Sequence, residues 1–121
     1  MIRPEGAAAA GEQLETIAQA LRDHLAAALE EQALALQAEA RRRCPVQTGR
    51  LKNSIRARVN AQGETLWAEV GSSLPYAAAV ELGTPGRPPA PYLQPAFNAR
   101  AGETMEQIKR AVHGALEGDG R

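Results

Sequence analysis

The sequence predicts an α+β fold: a long N-terminal helix and a C-terminal helix packed on a small antiparallel β-sheet. Three observations carry this. Leu14, Ile17, Leu21, Leu25, Leu29, Ala33 and Leu36 recur at three- and four-residue steps, the stripe of an amphipathic helix. In "SIRARVNA" the period drops to two, with Ile55, Ala57 and Val59 alternating with Arg56, Arg58 and Asn60. From about Pro91 the helical spacing returns through Leu93, Phe97, Met105, Ile108, Val112 and Leu116.

Residues 1 to 9 read as a flexible leader, residues 10 to 117 as one domain and residues 118 to 121 as a tail. The first helix is expected from about Gly11 to Arg43. Glu12 and Glu15 near its start and Arg41, Arg42 and Arg43 near its end both suit the helix dipole. Pro45 stops it, because proline disfavours helical geometry in the residue before it. A helix of this length exceeds what so small a core can cover, so part of its apolar face is expected to pack on something else. In "CPVQTGRLKNSI", Thr48 is placed to cap a short helical turn through Leu51, with Gly49 close behind. The strand of Arg56 and Arg58 follows, then a turn at "AQGE". A second strand, "TLWAEVGS", puts Leu66, Ala68 and Val70 on one face and Trp67 and Glu69 on the other. The two strands are expected to pair as a hairpin. "LPYAAAVELG" reads as a short helix with Pro75 in its first turn and Gly83 ending it in the left-handed conformation.

Composition narrows the function. Aromatic residues make up only 3% of the chain, and much of its apolar fraction is Ala, which buries little area. A marginal core of this kind favours self-association. The formal net charge is zero, against the positive excess typical of bulk nucleic-acid binding. Cys44 is the single cysteine, which excludes an intramolecular disulfide and a Cys-based zinc site and suits a reducing compartment. No apolar run is long enough to cross a membrane, and "MIRPEGAAAAGEQ" lacks the apolar core of a secretory signal.

No constellation points to catalysis. His24 and His113 stand singly on helices without metal-ligand spacing. The three arginines near Cys44 could lower its pKa, yet it has no partner base, so an inert thiol is the simpler reading. The Ser, Thr and Glu residues form no nucleophile–base–orienter set. "GTPGRPP" lacks the P-loop lysine and follows no strand. The expectation is no enzyme, no cofactor and no metal. Arg50, Lys52, Arg56 and Arg58, with the arginines at 41 to 43, make the middle of the chain basic. That face is either solvated or turned toward DNA or an acidic partner.

The least ordinary feature is the loop of Gly83, Thr84, Pro85, Gly86, Arg87, Pro88, Pro89 and Pro91. Proline fixes φ and removes a backbone donor, so such a loop loses little entropy on docking. A rigid connector between two helices is the plain reading; an assembly loop is the functional one. Its ends are expected to be held by Tyr76, Val80, Leu93 and Phe97.

"CPVQTGRLKNSI" resembles a "P..TG.L..SI" element, and "VGSSLPYAAAVELGTPGRPPAPYLQPAF" resembles "VGS...YA..VE.GT...P..P.L.PA". In this order, after an Ala- and charge-rich helix, they resemble the small tail-component family of long-tailed bacteriophages and prophages, also called the gp-ten or neck and tail-completion family. The resemblance covers about residues 44 to 97. Thr48, Gly49, Leu51, Ser54 and Ile55 match the first element. Gly71, Tyr76, Ala77, Glu81, Gly83, Thr84, Pro91, Leu93, Pro95 and Ala96 match the second. Leu82 departs from it, since an aromatic is common there.

The resemblance implies a virion structural protein of the head–tail interface, in the tail or neck, assembled in the host cytoplasm and without catalysis or cofactor. It implies a homo-oligomeric ring, with a hexamer among its options. The ring would join a head-closure or connector protein to a tail terminator or tail tube protein, with passing DNA in the lumen and no membrane. The alternative is a small host DNA-binding or adaptor module without a phage role.

Overall fold

A computed structural model describes residues 4–46 and 49–117, with side chains from Ala10 onward. Helix α1 spans Pro4–Arg43, a short α2 Arg50–Ser54, strands β1 Arg56–Gln62 and β2 Thr65–Gly71, helix α3 Ala77–Leu82 and helix α4 Leu93–Leu116. The α+β class expected from the sequence is the one observed: two long helices with a two-stranded antiparallel sheet between them in the chain. The first helix starts at Pro4 rather than Gly11, so the leader expected over residues 1 to 9 is helical from Pro4 on.

The hairpin register is Arg56↔Gly71 through Gln62↔Thr65, which leaves Gly63 and Glu64 as a two-residue turn. Gly63 has φ 60 in the first central position, where a tight hairpin needs positive φ. The register keeps Ala57 and Val59 on the face of Ala68 and Val70, and Arg58 opposite Glu69. The apolar face packs on α1.

Helices α1 and α4 pack antiparallel. Gln32 meets Arg100 and Thr104, and Gly114 lies against the His24 ring. Tyr92 and Ala96 join the cluster of Ala40 and Cys44. Small residues line this contact: Ala33, Ala40, Ala96 and Ala115 are all buried. The backbones therefore approach closely, and the larger apolar residues Phe97, Met105 and Leu116 stand on the outside of α4. Leu93, Ile108 and Val112 of the expected α4 stripe are half-buried, but Phe97, Met105 and Leu116 are exposed, and Ala96, Arg100, Thr104 and Ala115 face inward instead. The helix runs unbroken through Gly102.

The core sits at the C-terminal end of α1. Ala40, Cys44, Leu51, Ile55, Ala77, Tyr92 and Ala96 form it, backed by Leu36, Val70, Leu74, Val80 and Leu93. At the other end, α1 continues past the last turn of α4, which ends near His24, by about 25 Å, some seventeen residues at 1.5 Å each. Leu14 is 67% exposed and Ile17 40% exposed on that overhang.

Candidate functional site

Glu81, near the end of α3, reaches across to the start of α4. Its Oε1 accepts the backbone N–H groups of Tyr92 at 2.9 Å and Leu93 at 2.8 Å, and its Oε2 accepts that of Gln94 at 3.1 Å. The first N–H groups of any helix lack an intrahelical acceptor and carry the positive end of its dipole. Pro95, the next residue, has no N–H to satisfy. One carboxylate thus closes the start of a 24-residue helix. Burial pushes the Glu81 pKa up, but the three backbone donors outweigh it and hold the carboxyl below the usual range.

Between these two helices runs the Pro-rich loop, and its path is fixed at three points. Thr84 and Arg87 exchange both backbone hydrogen bonds, at 3.0 and 2.9 Å, around Pro85 and Gly86. Gly86 has φ 87, which suits the third position of a turn with proline in the second. Ala90 N–H donates to the Val80 carbonyl at 2.8 Å. At Gly83 a Cβ would stand 2.8 Å from both Cδ and N of Pro89, so the loop returns directly over this glycine. Gly83 was expected in the left-handed helical conformation. Its φ of 79 is positive, but ψ of 167 places it in the mirror-extended region open essentially to glycine alone.

The loop's outer surface is free: Thr84, Pro85, Gly86, Arg87, Pro88, Pro89 and Pro91 are all exposed, around an open depression of about 530 Å³. Its expected anchors are only half right. Val80 and Leu93 pack against the core, whereas Tyr76 and Phe97 are exposed, Phe97 at 56%. The missing anchor is Tyr92, which is completely buried and donates its hydroxyl to the Ala77 carbonyl at 3.4 Å. Burial pushes the Tyr92 pKa up, aided by the nearby Cys44 and Glu81. A tyrosine one residue before a helix whose third position is proline was the sequence signal for it.

The remaining motif residues serve packing and chain direction. Thr48 lies outside the described residues. Gly49 precedes α2 with φ 81, and its carbonyl accepts from Asn53 N–H at 2.9 Å. Leu51 and Ile55 are buried in the core. Ser54 Oγ donates to the Leu51 carbonyl and lies 2.6 Å from Ser72 Oγ, which accepts Leu74 N–H at 3.1 Å. That chain ties α2 to the segment after β2. Gly71 pairs with Arg56 at the end of the hairpin.

The basic residues divide. Arg41 donates twice to the Ile55 carbonyl, at 3.2 and 2.6 Å, joining α1 to the start of β1. Arg42 and Arg43 both bind Glu39, whose carboxyl they hold below its ordinary pKa. Arg58 pairs with Glu69 at 2.8 Å, and Trp67 Nε1 donates to the same carboxylate at 3.1 Å. Arg58 first, then Trp67, lowers the Glu69 pKa. Arg56 donates to the carbonyls of Asn53 and Ile55. Arg50 and Arg56 are exposed and Lys52 is half-buried.

Cys44 is buried, and burial raises its pKa, the direction that disfavours a reactive thiolate. His24 Nδ1 lies 2.8 Å from the Ala20 carbonyl of its own helix. Among the described residues no group of three His, Cys, Asp or Glu side chains could hold a metal ion, and no helix is long and apolar enough to cross a membrane.

The fold and site define a small α+β scaffold whose buried polar contacts hold an exposed, pre-shaped loop. The chain belongs to the HK97-gp10-like family, described as "Bacteriophage HK97-gp10, putative tail-component", whose model matches residues 8–83. The match takes in most of α1, the hairpin and α3, and ends at the glycine where the loop begins. Neither a curated protein nor a solved structure matches the chain significantly.

Proposed function

We propose that this chain is a structural, non-catalytic component of the bacteriophage tail that assembles as a ring at the head–tail interface. In this reading it joins the head connector to the tail terminator or tail tube, and so resides in the neck of the virion after assembly in the host cytoplasm. Family membership supports the tail role. The observation that carries the assembly role is the loop 84–91, exposed on its outer side and fixed from within by Glu81, Gly83 and Tyr92. A loop already in its docked shape loses little conformational freedom on binding.

The overhang of α1 supports the same reading, since Leu14 and Ile17 are exposed there. A role in gripping DNA has less support. Arg41, Arg42 and Arg43 are engaged inside the chain, and Arg58 is paired with Glu69. Arg56 and Arg58 still face outward and are the candidates for a lumen or partner surface. The test is removal of the gene from a phage that carries it. Filled heads and separate tails are expected; joined, infectious particles in its absence would overturn the proposal.

A further inference from the structure

We propose that the β-sheet is continuous between copies, the outer edge of β1 pairing with the outer edge of β2 in the next copy. This rests on the ring reading and names the contact that would close it.

The backbone geometry identifies both edges. Ala57 N–H donates to Gln37 Oε1 at 2.7 Å, so it points away from β2. In an antiparallel pair, backbone groups alternate between partner and open side. Val59 and Ala61 therefore also present N–H and C=O outward, and on the partner strand Leu66, Ala68 and Val70 do the same. Gln37 covers only the first of these positions. Both strands are seven residues long and neither contains proline, one of the usual means of blocking an edge. Alone, a two-stranded sheet is marginal.

Room for a further strand lies beside β1. A groove of about 240 Å³ runs between it and α1, lined by Glu30, Ala33, Leu34, Ala57, Arg58 and Val59. Its floor is apolar, and Leu34 is 51% exposed there. An extended strand would satisfy the backbone of Val59 and Ala61 and place an apolar side chain over Leu34.

Charge selects which strand that is. On the open face β1 carries Arg56 and Arg58, whereas β2 carries Glu69. Two β1 edges together would set arginine beside arginine, and two β2 edges would set glutamate beside glutamate; like charges directly opposite are destabilising. Pairing β1 with the next copy's β2 sets Arg56 and Arg58 beside the strand that carries Glu69, which Arg58 already binds within its own hairpin, avoids both like-charge arrangements and keeps the strands antiparallel. Such a contact is head-to-tail, the type that closes into rings.

The test uses two single variants, Val59→Cys and Ala68→Cys. Together in one chain they would face each other across the hairpin, since Val59 pairs with Ala68. They are therefore placed in separate chains, co-expressed with the other virion proteins and oxidised in the assembled particle. Cys44 is buried and stays out of the reaction. A cross-linked dimer from the mixture, absent with either variant alone, is expected. A second measurement uses Val59→Pro, which removes an outward N–H and no bond within the hairpin, and should cost assembly without unfolding the chain. A ring of full mass without the mixed cross-link would overturn this inference and leave the ring standing. Cross-linking by Val59→Cys alone, or to another virion protein, would also overturn it. A single copy per tail would overturn both this inference and the ring.

Discussion

The Glu81 carboxylate and the Leu93 amide, 2.8 Å apart, join the last turn of α3 to the first turn of α4 across the whole Pro-rich loop. The contact makes the loop a closed clasp rather than a tether. Glu81 holds both ends together, beside the Ala90–Val80 bond and the buried Tyr92.

Glu81→Ala is expected to lower stability by about 2 kcal/mol, the upper range for loss of a helix-capping acceptor. Thermal melting reads this. Because the folded-state pKa is depressed, the stabilisation is fully present above the ordinary carboxylate range and is lost as pH falls through the lower folded value. Glu81→Gln should melt between the two and remove this group's contribution to the acid sensitivity. Equal melting of wild type and Glu81→Ala at neutral pH would contradict the clasp.

Tyr92 gives a contrast within one position. Its ring is wholly buried, so Tyr92→Ala should cost about 3–5 kcal/mol, as for other large-to-small aromatic truncations. Its hydroxyl bond at 3.4 Å is long, so Tyr92→Phe should cost only about 1 kcal/mol or less. Denaturant midpoints of the two variants check this. Similar losses in both would mean that the hydroxyl, not the ring, anchors the loop.

The loop itself separates folding from assembly. Gly83→Val should unfold the protein, because its Cβ would meet Pro89 at 2.8 Å and its backbone sits where side chains are strained. Pro88→Ala with Pro89→Ala should lower stability by only about 1–2 kcal/mol, since the bonds of Thr84, Arg87 and Ala90 remain. It should raise the docking cost by about 1 kcal/mol per copy, by analogy with proline effects on chain entropy. A large fall in melting temperature with a normal yield of joined particles would make the loop a structural brace only.

Much of this architecture was legible because local rules and the fold agree. The spacing of Leu21, Leu25 and Leu29, the alternation through Val59, and the stops at Pro45 and Gly83 all mark real boundaries. What was not legible depends on contacts distant in sequence. Tyr92 is buried in a cluster with Ala40 and Ala77, both distant in sequence, and Glu81 acts on a helix that starts beyond the loop. The inner face of α4 was misread because apolar size points to Phe97 and Met105. Close helix packing selects Ala96 and Ala115 instead.

Arg56 and Arg58 share one strand face, but Arg58 also neutralises Glu69. Replacing both arginines with Glu would set acid on acid; Arg56→Gln with Arg58→Gln removes the charge without that repulsion. This pair should leave the fold intact, because both side chains are exposed. It should lower the yield of joined particles. Full infectivity would show that this face is merely solvated.

The α1 overhang supplies the last prediction. Exposed apolar side chains are ordinary when scattered, but Leu14 and Ile17 share a helix face that continues the half-buried stripe of Leu21, Leu25 and Leu29. Within the described residues α4 ends near Gly114, which lies against His24, so polar replacement at Leu14 and Ile17 removes little packing. Leu14→Glu with Ile17→Glu should therefore change the melting of the isolated chain little, since substitutions at open surface usually stay within about 0.5 kcal/mol. If copies or tail partners cover this stretch, the same variant should shift the mass in light scattering toward the monomer, or abolish incorporation where assembly requires the partner. Multimers and particle incorporation unchanged from wild type would show that the overhang is solvated in the assembly. The loop and the strand edges would then have to hold the ring without it.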